Sequence, residues 1–419
     1  MADQYFLSVM KIVYNLGILL YKLMTLLASP FNEKARLFRE GRKGVFEYLK
    51  QEMDPKSNYI WFHAASLGEF EQGRPLMERI RKDNLDYKII LTFFSPSGYE
   101  VRKNYDGADI VCYLPMDTSW EARKFIKIVR PSIAVFVKYE FWLNYLTELK
   151  EHKIPTYIVS AIFRESQAFF KWYGGWYCGF LRNFKHLFVQ DKKSVELLAS
   201  VGIHDVTIAG DTRFDRVAEI VRQAKELPVV EAFKGNSRVL IAGSSWPKDE
   251  DLFIDYFNNN ENLKLIIAPH VVSESHIEEI IGKLKRPCVR FTKTNEEEAA
   301  KADCMIIDCI GLLSAIYRYG EVAYIGGGFG VGIHNILEAA VYGMPVIFGP
   351  NYQKFREAVE MEKVGAAFPI HCGNCLKKVL DELFAEDTSK LNEVSSKAQE
   401  FVAQNCGASD LIMQKIFGK

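Results

Sequence analysis

Short apolar runs alternate with amphipathic helical stretches along most of this chain, in two successive series. Strands that are buried on both faces of a parallel sheet read as continuous apolar runs, and their alternation with helices is typical of a doubly wound sheet. The predicted strands of the first series are Ile60–Ala65, Lys88–Phe93, Ile110–Leu114, Ser132–Val137, Thr156–Ser160, His186–Val189 and Val206–Ala209. Those of the second series are Val239–Ala242, Leu263–Ala268, Ala302–Ile307, Val322–Ile325 and Pro345–Phe348. The pattern predicts an α/β protein with two Rossmann-like parallel-sheet domains.

The length of the chain agrees with two domains, because 419 residues exceed what one ordinary hydrophobic core holds. The predicted divisions are an apolar helix at 1–31, a first domain at 32–215, a helix and linker at 216–236, and a second domain at 237–419 whose last helix can pack back on the first. Lys plus Arg equals Asp plus Glu at 53 each, so the overall charge gives no reason to expect nucleic acid as a partner. The eight scattered cysteines suit a reducing compartment.

The amino-terminal segment is mostly apolar and reads as a helix. Lys11, Asn15 and Lys22 interrupt the apolar run, and a basic cluster follows it at 34–43. Two lysines make a spanning position costly, whereas a helix in the membrane interface can direct them to the lipid headgroups. The basic cluster is attracted to anionic lipid on the cytoplasmic face. We therefore predict an interfacial helix; a spanning helix and an amphipathic helix packed on its own domain are the alternatives.

Ligands of doubly wound sheets bind beyond the carboxyl ends of the strands, so the residues that follow each strand are candidates for a site. Glu69 follows the first strand at a glycine-assisted helix start, where a carboxylate can act as general base toward an attacking hydroxyl. The alternative is a carboxylate that only complements the helix dipole. Lys138 and Glu140 follow the strand that ends at Val137, and a charged pair at that point indicates a crevice position.

Two further segments of the first domain are candidates for contacts with negative charge. Ser95, Ser97 and Gly98 lie at a predicted helix start, where hydroxyl and N–H groups suit a phosphate; a plain Ser/Pro helix start is the alternative. Arg213 follows the last strand of the first series, and its guanidinium could balance charge on a leaving group. A salt bridge at the domain junction is the alternative for Arg213.

A glycine loop after the strand Val322–Ile325 is the main candidate of the second domain. The loop begins with Gly326–Gly328, and a helix is predicted from about His334 to Tyr342. Such a loop can expose bare backbone N–H groups at a helix N-terminus, where the dipole favours an anion. Glu338 lies one turn into the predicted helix and is placed to bind a ribose diol. A tight turn without a ligand is the alternative.

Ser244 and His270 follow two other strands of the second domain and are candidates for phosphate or base contacts, with a structural role as the alternative. The glycine spacing is neither Gly-x-Gly-x-x-Gly nor Gly-Lys-Ser/Thr, and no Asp-x-Asp metal motif occupies a suitable loop. A carboxylate base in one domain and an anion-and-ribose site in the other, across a cleft, is the layout of a GT-B nucleotide-sugar glycosyltransferase. A GT-B enzyme that uses a UDP-sugar and a non-catalytic, membrane-associated protein of the same fold remain alternatives.

Together these segments make the chain resemble bacterial 3-deoxy-D-manno-octulosonic acid (Kdo) transferases over nearly its full length. Members of that family move Kdo from CMP-Kdo to a lipid A precursor. Beside the apolar amino terminus and its basic flank, the resemblance is carried by Trp61-x-His63-x-x-Ser66-x-Gly68-Glu69, Ser95-Pro-Ser-Gly98, Tyr113-Leu-Pro-x-Asp117, Glu140-Phe-Trp142, Gly210-x-x-Arg213-Phe-Asp215, Gly243-Ser-Ser245 and Gly326-Gly-Gly through His334-Asn-x-Leu-Glu338.

The resemblance implies an inverting transfer without a metal or other cofactor, on the cytoplasmic side of the inner membrane. It implies that Glu69 accepts the proton and that Glu140 and Arg213 stabilise the transition state. The donor contacts that it implies are Pro269, His270, Ile310, Gly311, Leu312, Asn335, Ile336, Leu337 and Glu338. The strand-end pattern adds Ser244, Gly326, Gly327 and Gly328 as donor contacts, and the expected acceptor contacts are Ser95, Ser97, Gly98 and Lys138. The chain departs from the usual family pattern at His270 (usually Arg), Arg213 (commonly Lys), Leu312 (commonly acidic) and Ile162–Ser166 (an arginine-rich stretch).

Overall fold

The computed structural model describes residues 2–83 and 86–418. It divides into two compact units, one made of Met1–Asp215 with Gly407–Lys419 and the other of Arg216–Cys406. The boundary falls within the helix Arg213–Gln223. The second domain therefore ends at Cys406 rather than at residue 419, because the last segment of the chain belongs to the first unit.

The first unit is built on a seven-stranded sheet in the order β3-β2-β1-β4-β5-β6-β7, with every neighbouring pair parallel. Its strands are β1 (Tyr59–Ala64), β2 (Lys88–Phe93), β3 (Ile110–Tyr113), β4 (Ile133–Val137), β5 (Thr156–Ala161), β6 (His186–Val189) and β7 (Val206–Ile208). The α-helices are Ala2–Ala28, Glu33–Glu40, Val45–Glu52, Leu67–Lys82, Pro96–Arg102, Ser119–Val129, Leu143–Glu151, Cys178–Leu181, Lys192–Ser200 and Ala408–Phe417. All seven predicted strands are present, with ends shifted by at most one residue.

Side chains of alternate residues in the central strands enter two hydrophobic clusters, one on each face of this sheet. Trp61 and Phe136 belong to one cluster, whereas their neighbours Phe62 and Val135 belong to the other. The helix Ala408–Phe417 adds Ile412 and Met413 to the second cluster. The helix that returns to the first unit is therefore this terminal one, and not the helix predicted at about Ser389–Gln404.

The second unit contains another seven-stranded parallel sheet, in the order β10-β11-β9-β8-β12-β13-β14. Its strands are β8 (Arg238–Ser245), β9 (Leu263–Pro269), β10 (Cys288–Arg290), β11 (Cys304–Ile306), β12 (Val322–Ile325), β13 (Val346–Phe348) and β14 (Ala367–Pro369). Its α-helices are Pro228–Lys234, Pro247–Asn258, Glu274–Lys283, Glu296–Lys301, Leu313–Ile316, Leu337–Ala340, Arg356–Lys363, Gly373–Leu383 and Ser389–Asn405. The predicted fold class, α/β with two Rossmann-like parallel sheets, is confirmed; the cleft between them stays a prediction.

The sequence did not predict β10 and β14, which are three residues long and form the two edges of the second sheet. Edge strands lack the double-sided burial that makes central strands read as apolar runs. All of β10 and most of β14 are only half-buried.

The amino-terminal helix turns polar side chains toward its own unit and leaves apolar ones exposed. Tyr14 Oη donates to Asp117 Oδ2 at 2.6 Å, Asn15 accepts from Asn144, and Lys22 pairs with Glu121 at 2.7 Å. Lys22 is therefore bound to the protein instead of being directed to lipid headgroups. The exposed large side chains of the helix include Ile12, Leu16, Leu19, Leu20, Leu23, Met24 and Leu27. The segment Val9–Ala28 is long and apolar enough to cross a membrane. This surface is compatible with membrane association. A helix packed on the core of a soluble protein instead turns its apolar side chains to the core and its polar side chains to solvent.

One member of the predicted lipid-binding basic cluster has a structural role instead. Arg42 donates from Nε to the carbonyl of Leu114 and from Nη2 to the carbonyl of Phe94, and its guanidinium lies 3.6 Å from the ring centre of Phe38. Burial lowers the pKa of Arg42 to about 10. Arg42 therefore ties the short helix Glu33–Glu40 to the ends of β2 and β3.

Candidate active site

Glu69 lies in the first turn of the helix that follows β1, where the sequence placed it. Its Oε2 accepts a hydrogen bond from the N–H of Ala65 at 2.6 Å, so the carboxylate also helps to cap the helix, as the alternative interpretation proposed. A carboxylate that only caps a helix would have a lowered pKa. Instead, the pKa of Glu69 is raised to about 8, mainly by burial and then by the charge of Glu140. The N–H groups of Ala65 and Ser66 and the charge of Lys138 lower the pKa, but by less. A half-buried carboxyl with this pKa has the property expected of a general base.

Glu140 lies just beyond β4 and is only 7% exposed. Its Oε2 accepts from Trp142 Nε1 at 2.6 Å and lies 3.1 Å from Nε2 of the fully buried His63. The chain between β4 and Glu140 passes through Lys138, which has a positive φ of 68°. Backbone strain at a non-glycine residue is common next to functional sites. β1 and β4 are neighbours in the sheet, so their carboxyl ends bring Glu69, Lys138 and Glu140 together.

Sequence reasoning missed the polar network behind Glu140. On the side of His63 away from Glu140, Nδ1 is 2.8 Å from Thr92 Oγ1, which also accepts from Trp61 Nε1 at 2.8 Å. The signal that could have revealed it is a histidine and a threonine inside otherwise apolar strands. Their pairing depends on the register of β1 against β2, which sets His63 opposite Thr92.

Arg213 forms an ion pair within its own unit. Its Nη2 lies 2.8 Å from Oδ2 of the buried Asp211, and Nε lies 3.0 Å from the same oxygen. Burial acts to raise the pKa of Asp211, but Arg213 outweighs it and the pKa is lowered. The salt-bridge alternative for Arg213 therefore accounts for this contact, in which the partner lies two residues away in the chain. Its role in the transition state stays a prediction.

The Ser95 segment forms a capped helix start. Ser95 Oγ accepts from the N–H of Ser97 at 3.2 Å and lies 2.9 Å from the Ser97 hydroxyl. A Cβ on Gly98 would come within 2.3 Å of the Phe93 ring, so packing requires glycine there. The plain helix-start alternative accounts for these contacts, and acceptor binding by this segment stays a prediction.

The expectation of bare amides in the glycine loop of the second unit is wrong for Gly326 and Gly327. The N–H of Gly326 donates to the carbonyl of Gly243, and that of Gly327 donates to Asp249 Oδ2, both at 2.9 Å. All three glycines are buried, and a Cβ on Gly328 would lie 2.6 Å from the backbone of Gly349. The glycines serve mainly to let backbone segments approach closely. The helix is also shorter than predicted, Leu337–Ala340 instead of about His334 to Tyr342.

His270, Trp246 and His334 form a stack of rings where β8, β9 and the glycine loop meet. The ring centres of Trp246 and His270 are 4.7 Å apart, and those of His270 and His334 are 4.4 Å apart. Trp246 Nε1 donates to His334 Nε2 at 3.2 Å. Burial and then His270 lower the pKa of His334 to about 4, so His334 is neutral at physiological pH. Ser244, at the end of β8 next to this stack, has a positive φ of 51°.

Glu338 connects two segments that the sequence assigned to the same ligand. Its Oε1 accepts from Asn335 Nδ2 at 2.9 Å, and its Oε2 accepts from the hydroxyl of Ser314. Ser314 lies two residues after the segment Ile310–Leu312, in which Gly311 has a φ of 97° and Ile310 is 90% exposed. The structure thus brings together Ile310–Leu312 and Asn335–Glu338, which are far apart in the sequence.

The fold and these strand-end residues define a class of protein, the GT-B proteins. UDP-GlcNAc 2-epimerase from Neisseria meningitidis has this fold; its structure matches 86% of this chain and all of its own chain with a TM-score of 0.60, at 13% identity. At that identity the likeness concerns the fold alone.

Sequence comparison shows which family within this class the chain resembles. The family model described as 3-deoxy-D-manno-octulosonic-acid transferase (kdotransferase) matches residues 39–216. The 3-deoxy-D-manno-octulosonic acid transferase of Aquifex aeolicus is 27% identical over 369 residues, which are 85% of this chain and 95% of that protein. The protein of the same name from Chlamydophila psittaci is 26% identical over 354 residues, 80% of this chain and 78% of that protein. The chain is therefore similar to this transferase family, through the family model in its first unit and through relatives that cover most of its length.

Proposed function

We propose that the protein is an inverting glycosyltransferase that moves Kdo from CMP-Kdo to the glucosamine disaccharide of a lipid A precursor in lipopolysaccharide biosynthesis. The observation that carries the proposal is the pair formed by the half-buried Glu69 and the buried Glu140, which lies inside the segment that matches the family model. Relatives named for this activity align with most of both units.

The chemical step follows from the properties of Glu69. Its carboxylate removes the proton from an acceptor hydroxyl, the oxygen of that hydroxyl attacks the anomeric carbon of Kdo, and the bond to the CMP phosphate breaks. The pKa near 8 makes Glu69 a stronger base than an ordinary surface carboxylate. We propose that Lys138, Ser95, Ser97 and Gly98 contact the acceptor, and that Glu140 and Arg213 stabilise the transition state.

The second unit is proposed to hold the CMP part of the donor. Because the amides of Gly326 and Gly327 are already bonded, the phosphate is proposed to lie against His270 and Ser244. The ribose is proposed to bind Glu338, whose carboxylate Asn335 and Ser314 orient. Pro269 and the segment Ile310–Leu312 complete the proposed contacts.

The proposed reaction uses no metal ion. Among the residues that the structure describes, no three His, Cys, Asp or Glu side chains form a cluster suited to a metal. A metal-free reaction stays a prediction, and unchanged turnover in the presence of EDTA is the expected result.

We also propose that the amino-terminal helix attaches the protein to the cytoplasmic leaflet of the inner membrane. The proposal is supported by the exposed apolar side chains at Leu16, Leu20 and Leu23 and by the polar contacts that Tyr14 and Lys22 make on the other side. Such a helix would hold the active site close to a lipid substrate.

Mass spectrometry of the products from CMP-Kdo and a lipid A precursor tests the proposal. The expected product is the precursor with one or more Kdo residues added. Stabilisation by UDP rather than CMP in a thermal-shift assay would favour a UDP-sugar enzyme, and stabilisation by neither, without product, would favour a non-catalytic protein.

A further inference from the structure

His63 is a fully buried imidazole on β1 that lies between a hydroxyl group and a carboxylate. Nδ1 is 2.8 Å from Thr92 Oγ1, and Nε2 is 3.1 Å from Glu140 Oε2. The position of Thr92 is set by the parallel pairing of β1 with β2. Both ring nitrogens of His63 therefore face polar atoms whose places the sheet determines.

The hydrogen-bond directions in this network follow from its outer end. An indole N–H can only donate, so the contact between Trp61 Nε1 and Thr92 Oγ1 makes the Thr92 oxygen an acceptor. The single hydroxyl hydrogen of Thr92 is then available to His63 Nδ1, which is nearer, at 2.8 Å, than the carbonyl of Phe62, at 3.4 Å. A neutral imidazole that accepts at Nδ1 carries its proton on Nε2, and this N–H points at Glu140.

The opposite tautomer fits the contacts less well. With its proton on Nδ1, His63 could donate to Thr92 Oγ1 at 2.8 Å, but the Thr92 hydroxyl could then donate only to the carbonyl of Phe62, at the long distance of 3.4 Å. Nε2 would then present a lone pair to the Glu140 carboxylate at 3.1 Å. Trp142 Nε1 could donate to that lone pair at 3.1 Å, but it lies closer to Glu140 Oε2, at 2.6 Å.

We propose that His63 is a positioning residue: the chain Trp61–Thr92–His63 delivers an N–H that fixes the Glu140 carboxylate beside Glu69, and the charge of Glu140 makes Glu69 a stronger base. The inference rests on the proposed function, since it assigns the base strength of Glu69 to residues that touch no substrate. His63 acts only through Glu140 and Glu69.

The groups around Glu69 show why the charge of Glu140 matters. Lys138 and Glu140 face Glu69 from the segment after β4, and Tyr139 lies between them. Of these charges Glu140 raises the pKa of Glu69 and Lys138 lowers it. Glu140 itself faces His63, Trp142, Glu69 and, more distantly, Tyr14. If Glu140 became neutral, burial alone would oppose the lowering effects of Lys138 and of the Ala65 and Ser66 N–H groups, so the pKa of Glu69 would fall and Glu69 would become a weaker base.

The test compares side chains that keep or remove one donor. In His63→Gln the amide nitrogen can take the place of Nε2, whereas in His63→Asn it can reach only the place of Nδ1. Thr92→Val removes the hydroxyl that sets the tautomer while keeping the shape of the side chain. Glu140→Gln removes the charge directly. His186→Gln is the matched control, because His186 lies on β6 of the same sheet and contacts the hydroxyl of Thr207 at 2.8 Å.

The measurement is kcat/KM for Kdo transfer from pH 6 to pH 10, which reports groups of the free enzyme. The wild type is expected to lose activity as the pH falls below about 8. This loss of activity is the acidic limb of the pH profile. His63→Asn, Thr92→Val and Glu140→Gln are expected to move the acidic limb to lower pH, by about 1 unit for Glu140→Gln. His63→Gln and His186→Gln should leave it in place. Adding His63→Asn to Glu140→Gln should produce no further shift.

A reduced rate with an unmoved limb in both His63→Asn and Thr92→Val would overturn the inference and leave His63 a purely structural residue. If His63→Asn does not fold, as judged by circular dichroism, Thr92→Val decides the question.

A second readout separates this inference from the proposed function. Carboxyl ¹³C NMR of protein labelled at Glu Cδ, with Glu69→Gln to identify the signal, follows the ionisation of Glu69 without any substrate. A wild-type midpoint that falls in Thr92→Val supports the inference even if no Kdo is transferred. An unchanged midpoint contradicts it even if transfer is observed.

Discussion

Asp249 tests whether the glycine loop is a closed turn, because its carboxylate accepts three hydrogen bonds that hold the loop. The donors are the N–H of Gly327 at 2.9 Å, the hydroxyl of Tyr324 at 2.9 Å and the N–H of Trp246 at 3.0 Å. Asp249→Ala would leave all three without this acceptor. The donors of Gly327 and Tyr324 are buried, and each unsatisfied buried donor costs about 1–3 kcal/mol, whereas the N–H of the exposed Trp246 can bond to water. We expect the free energy of unfolding of the second unit to fall by at least about 2 kcal/mol.

Asp249→Asn should be much milder. The amide oxygen can accept from the two backbone N–H groups, and the amide NH₂ can donate to the oxygen of Tyr324, so all three contacts persist. Asp251→Ala is the control, because Asp251 lies on the same helix with a side chain that is 63% exposed and paired with Lys283. Losing such a surface pair costs about 1 kcal/mol or less.

Urea unfolding followed by circular dichroism, with and without CMP, distinguishes the two views of the loop. A closed turn predicts a stability order of wild type, then Asp249→Asn, then Asp249→Ala, and weaker CMP binding in the last. If Asp249→Ala were as stable as Asp251→Ala and bound CMP more tightly, the loop amides would serve the phosphate and the turn assignment would be refuted.

Two other predictions concern the donor and the membrane. Glu338→Ala should weaken CMP binding measured by calorimetry by roughly tenfold, about 1.4 kcal/mol, because the ribose loses a charged acceptor; unchanged affinity would exclude Glu338 from the ribose site. Leu19→Glu combined with Leu23→Glu should strongly reduce cosedimentation with anionic lipid vesicles, whereas Lys22→Ala, which only breaks the pair with Glu121, should not. Equal sedimentation of all three proteins would contradict the interfacial helix.

The sequence predicted the central strands well because burial on both faces leaves a direct trace in composition. β1, with all six residues buried, and β9 read as apolar runs, whereas the three-residue edge strand β10, half-buried throughout, leaves no such trace. The doubly wound pattern also identified the strand ends as the place to look for function, and Glu69, Glu140 and His270 came from that rule.

The glycine loop misled the prediction because glycine has more than one physical use. A glycine can leave its N–H open to a ligand, or it can let two backbone segments pass at close range, and one sequence does not distinguish them. Gly328 packs against Gly349, and Gly327 bonds to Asp249, which is 78 residues away in the sequence. Contacts over such a separation depend on tertiary structure that no local pattern encodes.

The network behind Glu140 could not be predicted for a related reason. His63 meets Thr92 because of strand register, and it meets Glu140 because the chain bends after β4 at Lys138. A buried histidine alone is more often a satisfied core residue than a functional one. The neighbouring carboxylate and the raised pKa of Glu69 make the difference.

The most direct test of the account is the single-turnover rate of Kdo transfer by Glu69→Gln, with CMP affinity measured on the same preparation. Loss of a positioned general base typically lowers the rate by about 10²–10⁴-fold. We predict a loss in that range with CMP affinity within about twofold of the wild type, because Glu69 lies in the first unit and the proposed CMP contacts lie in the second. A Glu69→Gln rate near that of the wild type would contradict the account.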